Sequence, residues 1–211
     1  MFQPMSDLAG FPARAFEKAD PTPDPLFYAE PRLVTHIDDG AIAAVTELYR
    51  TTLPPGGDIL DLMSSWVSHL PPEIAYGHVT GHGMNAVELA ENPRLDDWFV
   101  QNLNADQTLP LARRRYDGAC ICVSVQYLQH PVTVFREVLR VLRPGAPLVV
   151  TFSNRCFPTK AVAIWQALSG SDQQQLVSIY MTRAGFAEIS TGEVLPPHGD
   201  PLWAVIGRAP E

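Results

Sequence analysis

Cysteine is scarce in this chain, positive charge is outnumbered, and long apolar runs are missing. Three cysteines among 211 residues are too few for the disulfide framework of a small secreted domain. Cys120 and Cys122 lie two apart in the apolar run ACICVSV, a spacing that puts both on one buried face of a strand. It is not the C-x-x-C spacing of a redox or metal pair. Lys and Arg number 15 against 23 Asp and Glu, a net charge of −8, which argues against nucleic acid or an anionic membrane as partner. The basic cluster Arg113-Arg114-Arg115 reads as solvated surface. No apolar stretch reaches the ~18 residues of a membrane span, and the amino-terminal segment shows no basic region followed by an apolar core. A cytoplasmic protein is expected. His78 and His82, four apart on a strand, stand about 13 Å from each other, too far to share one ion, so no metal is expected.

What is present suits a globular protein: 46% of residues are apolar and 18% charged. The length fits one domain over residues 1–211, with a proline-rich arm over 1–36 and an α/β core over 37–211. Pro4, Pro12, Pro21, Pro23 and Pro25 forbid long regular elements at the start of the arm. Phe2, Phe11, Phe16, Leu26, Phe27 and Tyr28 supply apolar surface to bury, so the arm is expected to drape over the core. A helix is expected from Asp38 or Asp39 to Thr52, then strands at 58–62, 74–80, 98–103, 118–125 and 146–153. Helices are expected at 85–91, capped by Asn85, and at 131–142, where Val134, Phe135, Val138, Leu139 and Leu142 face inward. Two more follow near 159–168 and 172–184. The segments FAEISTGEVL and LWAVIGR, joined by a turn through Pro196 to Pro201, pair best as an antiparallel hairpin. Strands alternating with helices indicate a parallel sheet, which the hairpin makes mixed.

The stretch DILDLMSSWVSHLP, residues 58–71, is where chemistry is expected. A buried strand breaks into Met63-Ser64-Ser65 and opens onto a short helical piece ending at Pro71-Pro72. Strand, tight loop and helix start present backbone N–H groups to a ligand in doubly wound sheets. Such loops are usually rich in glycine, and this one has none. About eleven residues separate the first two strands, close to the least a parallel crossover needs, so a helix there has at most about two turns.

The segment YDGACICVSVQYLQHPVTVFREVLRVLRPGAPLVVTFSN, residues 116–154, carries a resemblance. Asp117 before a strand, a helix ending in Leu142-Arg143-Pro144-Gly145-Ala146, and a strand from Leu148 to Phe152 resemble the fourth-to-fifth-strand region of class I S-adenosylmethionine-dependent methyltransferases. NLNADQTLPL, residues 102–111, resembles that family's acidic loop after strand three. The likeness spans about residues 56–208. It is nearest to the methyltransferase type 11 group, in a cyanobacterial and plant branch with an LDLMSSWVSH-like loop and a GMN after strand two.

The resemblance implies a three-layer Rossmann-like fold, with a seven-stranded, mostly parallel sheet and an antiparallel carboxy-terminal hairpin. It also implies S-adenosylmethionine as cofactor and methyl transfer to a small-molecule acceptor. Asp61 keeps the family's acidic place as acceptor for the cofactor's amino group, or caps the turn. Met63, Ser65 and Val67 stand where the family has glycines. Ser64, Ser65 and Ser68 either bind a carboxylate at a helix start or cap that helix. His82 or Gly83 falls where a ribose-binding carboxylate is usual, beside Met84 and Asn85, with His82 or Asn85 able to supply one hydrogen bond. Asn102 takes the adenine-contacting place, followed by Leu103 and Asn104. Ser124, Gln126, Tyr127, Ser153, Asn154 and Arg155 lie at the strand ends where ligands bind. His69, Tyr127 and Asn154 are the catalytic candidates. Tyr28, Arg32 and His36 form either a lid or a solvated loop. The departures at the glycines and the ribose carboxylate also allow a catalytically silent binding protein on the same fold. A nicotinamide oxidoreductase is disfavoured by the lack of G-x-G-x-x-G after a strand.

Overall fold

Seven strands form one sheet in the computed structural model, which describes residues 7–194 and 199–211. Phe2, Pro4 and the start of the turn expected from Pro196 lie outside the described residues. Strands β1 (Asp58–Asp61), β2 (His78–Gly83), β3 (Asp97–Val100), β4 (Gly118–Cys122), β5 (Pro147–Ser153), β6 (Ala187–Val194) and β7 (Leu202–Arg208) lie in the order β3-β2-β1-β4-β5-β7-β6. Neighbours run parallel as far as β5, and β7 returns antiparallel between β5 and β6. This is the α/β methyltransferase fold, with the mixed sheet and terminal hairpin expected of it.

Period-two alternation sorts the strand side chains between two cores. Ile59, Val79, Cys120 and Val149 meet helix α2 (Asp39–Thr52) through Ala41, Val45 and Tyr49. Leu60, Ala119, Ile121 and Val150 meet α4 (Pro131–Val141) and α6 (Gly170–Ala184) on the opposite face. Asp38 caps α2 by accepting from Ala41 N at 2.9 Å. Asn85 caps α3 (Ala86–Ala90) by accepting from Val87 N at 2.9 Å. Gly185 ends α6 in the left-handed region at φ 103°. The turn after α4 is tied to the sheet: Asp117 accepts from Asp58 N at 2.9 Å and from the Arg143 guanidinium.

Several boundaries differ from expectation. The helical piece between β1 and β2 does not form, and residues 62–77 are irregular. Pro71 disfavours helical geometry at Leu70, and His69 is already left-handed at φ 53°. The strand expected at 74–80 sits at His78–Gly83 because residues 74–77 are held against the Gly56-Gly57 turn. There Gly56 N donates to Ala75 O and Gly77 N to Gly57 O, each at 2.9 Å. The strand expected at 98–103 stops at Val100, where Gln101 leaves the sheet to hydrogen-bond its own loop at Asp106 O and Thr108 O. β4 stops at Cys122 because Val123 turns left-handed at φ 44° before a 3-10 turn, Val125–Tyr127. The helix expected at 159–168 shrinks to α5 (Ala163–Gln166), since Lys160 turns inward to the arm.

Among the described residues, no helix is long and apolar enough to cross a membrane. None of them form a group of three or more His, Cys, Asp or Glu able to hold a metal.

Candidate functional site

β1 delivers Asp61 to the carboxyl edge of the sheet, and the chain then turns through a loop that contains no glycine. Met63 sits at φ 57°, a left-handed conformation that costs a residue with a Cβ roughly 1–2 kcal/mol. The path is held by β2. Met63 N donates to His82 Nδ1 at 3.1 Å and Ser64 N to His82 O at 2.7 Å. A Cβ on Gly83 would stand 2.6 Å from Ser64 O, so the close approach needs its glycine on the strand rather than on the loop. His82 Nε2 donates to Gln101 O at 2.9 Å. With both nitrogens engaged the ring is neutral, and burial pulls its pKa down to about 4. At the place where His82 or Gly83 is expected beside a ribose, both line the cavity, and both His82 nitrogens are spent on Met63 N and Gln101 O.

Asp61 is 3% exposed and accepts from Ser64 Oγ at 2.6 Å and Cys120 Sγ at 3.5 Å. Burial outweighs these bonds and a further one from Ser68, raising its pKa to about 6. Asn92 Nδ2 donates to Ser65 O and Ser68 Oγ, both at 2.9 Å. Ser65 Oγ donates to Glu88 Oε2 at 2.7 Å, and Arg32 N to Glu88 Oε1 at 2.7 Å. Serine lines the turn, as expected, and all three hydroxyls are engaged.

Above this loop lies a cavity of about 300 Å³. It sits at the carboxyl ends of β1, β2 and β4, where successive connections leave the sheet in opposite directions, the usual ligand position in open α/β sheets. Of the expected residues, Asp61, Met63, Ser64, Ser65, His69, His82, Gly83, Met84, Asn102, Leu103, Asn104, Ser124 and Tyr127 line it. Three do not. Asn85 spends its amide on Tyr28 O and Ala29 O while capping α3. Gln126 turns back to Val123 O, and Asn154 is exposed outside the cavity, beside Ser153 Oγ. Among the lining residues, Asn104 is committed to Asp24 Oδ2 and Tyr127 O through its amide and to Gln129 N through its oxygen. Tyr127 accepts from Phe157 N at 2.8 Å, and burial pushes its hydroxyl pKa up to about 12, so it is protonated and unsuited to act as a base. Among the described residues, three of the five non-glycine residues with positive φ, namely Met63, His69 and Val123, line the cavity. Backbone strain gathers at functional sites more than elsewhere.

The arm closes one side. Lys18 Nζ meets both Asp24 oxygens at 2.8 and 2.7 Å, and Lys160, fully buried, donates to Thr22 O at 2.5 Å and pairs with Asp20 at 3.1 Å. Trp66 Nε1 donates to Val34 O at 3.0 Å. The Arg32 guanidinium stacks over Phe27 at 4.6 Å and Phe157 at 5.4 Å. Of the two readings for this segment, the covering one describes it.

Sequence reasoning missed Glu88, Asp24 and Phe157, all of which line the cavity. Glu88 stands three residues after Asn85, a spacing that reads as helix capping and hides a carboxylate facing a ligand site.

Residues 73–150 match the family model described as a methyltransferase domain. The match begins just past the glycine-free loop. No curated protein matches the chain by sequence. Among solved structures, phosphoethanolamine N-methyltransferase 2 of Haemonchus contortus, in complex with S-adenosyl-L-methionine, is similar at TM-score 0.58 and 12% identity, over 80% of this chain and 52% of that one. This chain therefore spans about half of that relative's length. The [4+2]-cyclase SpnF is similar at TM-score 0.63 and 19% identity, over 89% and 93% of the two chains. An S-adenosylmethionine-dependent methyltransferase from Mesorhizobium loti follows at TM-score 0.56 and 18% identity, over 78% and 97%. Such identities establish the fold, and the cyclase among them shows that this fold alone does not decide the reaction.

Proposed function

We propose that the chain is an S-adenosylmethionine-dependent methyltransferase acting on a small-molecule acceptor, with the narrower likeness to the cyanobacterial and plant branch forming part of this reading. The observation that carries it is the polar set of the strand-end cavity, whose volume lies at the lower end of the range for small-molecule sites. Glu88 supports the fit: each of its oxygens accepts one hydrogen bond from the protein, which leaves each a lone pair for a ribose hydroxyl. Glu88 thereby serves in place of the carboxylate missing from the end of β2. Asp61, Ser64 and Ser65 would face the cofactor's methionine end, and Asn102 and Leu103 its adenine. When bound, S-adenosylmethionine supplies an activated sulfonium methyl, so the protein's task is to position the reactants and exclude water.

Calorimetric titration with S-adenosylmethionine and its demethylated product tests this. The expectation is saturable heat with wild type and about tenfold weaker binding with Glu88→Gln, one lost charge-assisted hydrogen bond. Absence of heat at protein concentrations near ~100 μM would place any affinity beyond about 1 mM and sink the proposal. A second reading, a fold member that binds ligands without transferring methyl groups, is favoured by Met63 and Val67, whose side chains border the cavity where the family has glycines. Binding without turnover across a broad acceptor panel would support it.

A further inference from the structure

Two histidines at the arm side of the cavity spend neither ring nitrogen on the described fold. His69 lies on the first loop, its backbone left-handed at φ 53° and its carbonyl accepting from Thr46 Oγ1 at 3.0 Å. His36 comes from the arm, edge-on to Phe157 with ring centroids 5.4 Å apart. Both line the cavity, and among the described residues no ring nitrogen of either has a hydrogen-bond partner. By contrast, His82 has both nitrogens engaged.

The charges around this end sort the ligands it can take. Two guanidiniums border it: Arg32, stacked on Phe27 and Phe157, and Arg155, whose Nε is held by Asp200 at 2.8 Å. The carboxylates nearby are occupied, Asp24 by Lys18 and Asn104, Glu88 by Arg32 N and Ser65. An ammonium ligand would meet two guanidiniums, and the remaining Glu88 lone pairs face the place of the cofactor ribose. A hydroxyl on a flat apolar body meets a free imidazole and the wall of Tyr127 and Phe157, stacked at 5.9 Å.

We propose that this end of the cavity is an acceptor subsite for a phenol-class hydroxyl compound, and that His69 receives the hydroxyl proton. The proposal rests on the methyl-transfer reading above. As the acceptor oxygen forms its bond to the methyl carbon, the carbon–sulfur bond breaks with its electron pair going to sulfur. The products are a methyl ether and the demethylated thioether. The hydroxyl proton passes to the His69 imidazole and from there to water. Burial, and to a lesser extent repulsion from His36, lowers the His69 pKa to about 4, which keeps the ring free to accept a proton at neutral pH. Backbone strain at this position fits a side chain aimed at a task rather than at packing.

The probe is 4-nitrophenol, whose anion absorbs visibly, titrated without cofactor at a pH where the free phenol is mostly protonated. The expected result is saturable binding of the neutral phenol, a red shift of its absorption band as its hydroxyl donates a hydrogen bond, and movement of the signal of one His69 nitrogen in ¹⁵N NMR as that nitrogen accepts it. His69→Leu should weaken binding about tenfold, one lost hydrogen bond, while His36→Asn keeps the affinity. The nitrogen signals of the unaltered protein read the same contact if His69→Leu does not fold. Unchanged affinity in folded His69→Leu, or tighter binding of benzylammonium than of 4-nitrophenol, overturns the proposal. S-Adenosylmethionine binding with no phenol binding overturns the subsite alone. Phenol binding with the His69 signal moved but no cofactor binding upholds the subsite and overturns the methyl-transfer reading.

Discussion

Replacing His82 by phenylalanine removes the one ring that both carries the first loop and resists protonation. In the folded protein its pKa lies at about 4, against 6.5 for an ordinary histidine, because burial disfavours the charged ring. Both nitrogens are already committed, Nδ1 as acceptor from Met63 N and Nε2 as donor to Gln101 O. An added proton on Nδ1 would break the first bond and set two donors face to face. The unfolded chain therefore binds a proton near pH 6.5 that the folded chain refuses until about pH 4. Stability is unaffected above pH 6.5 and falls as pH drops from there towards 4. At 1.36 kcal/mol per unit, the full loss is about 3 kcal/mol. His82→Phe loses two hydrogen bonds and starts lower at pH 8, by about 1–3 kcal/mol, but it lacks this acid-side slope. Urea unfolding of both proteins at half-unit steps from pH 8 to 4 isolates the term, since His69 and Asp61 titrate alike in each. Parallel curves for the two proteins, or a His82 NMR titration centred near 6.5, would refute the reasoning.

Asp61→Asn tests the opposite sign. The raised carboxyl keeps its proton in the fold up to about pH 6, so wild type loses stability relative to the variant as pH rises from 4 to 6, by about 3 kcal/mol; equal pH dependence would refute it. Gly83→Ala places a Cβ 2.6 Å from Ser64 O and should cost about 1–3 kcal/mol by thermal unfolding, with cofactor affinity falling further than stability as the loop is pushed off β2. Lys160→Met strips Asp20 and Thr22 O of a fully buried cation. It should cost about 3–5 kcal/mol in urea and speed hydrogen exchange at residues 18–27 first; uniform acceleration across the sheet would count against the lysine as the clasp of the arm.

The order of elements and most of the fold were legible because they follow from local rules. The continuous apolar runs along 118–122 and 147–153, the amphipathic stripe of α4, a cap at Asp38 or Asp39 and another at Asn85, and the Pro144-Gly145 stop all act through near neighbours. The acidic end of β1 and a serine turn without glycine were equally plain in DLMSS. Boundaries failed where a distant partner overrode the local preference, as when Gly56-Gly57 drew residues 74–77 away from the sheet and the arm drew Lys160 inward. The site divided along the same line. Sequence alone determined which strand ends would meet and which residues stand in the first loop. Only the tertiary structure decided that both His82 nitrogens would be spent on the first loop and Gln101, that Glu88 would bring a carboxylate to the cavity from a helix, and that the arm would form one of its walls. Those roles depend on contacts such as Arg32 to Glu88 and Asn104 to Asp24, whose partners lie 56 and 80 residues apart and meet only when the sheet closes.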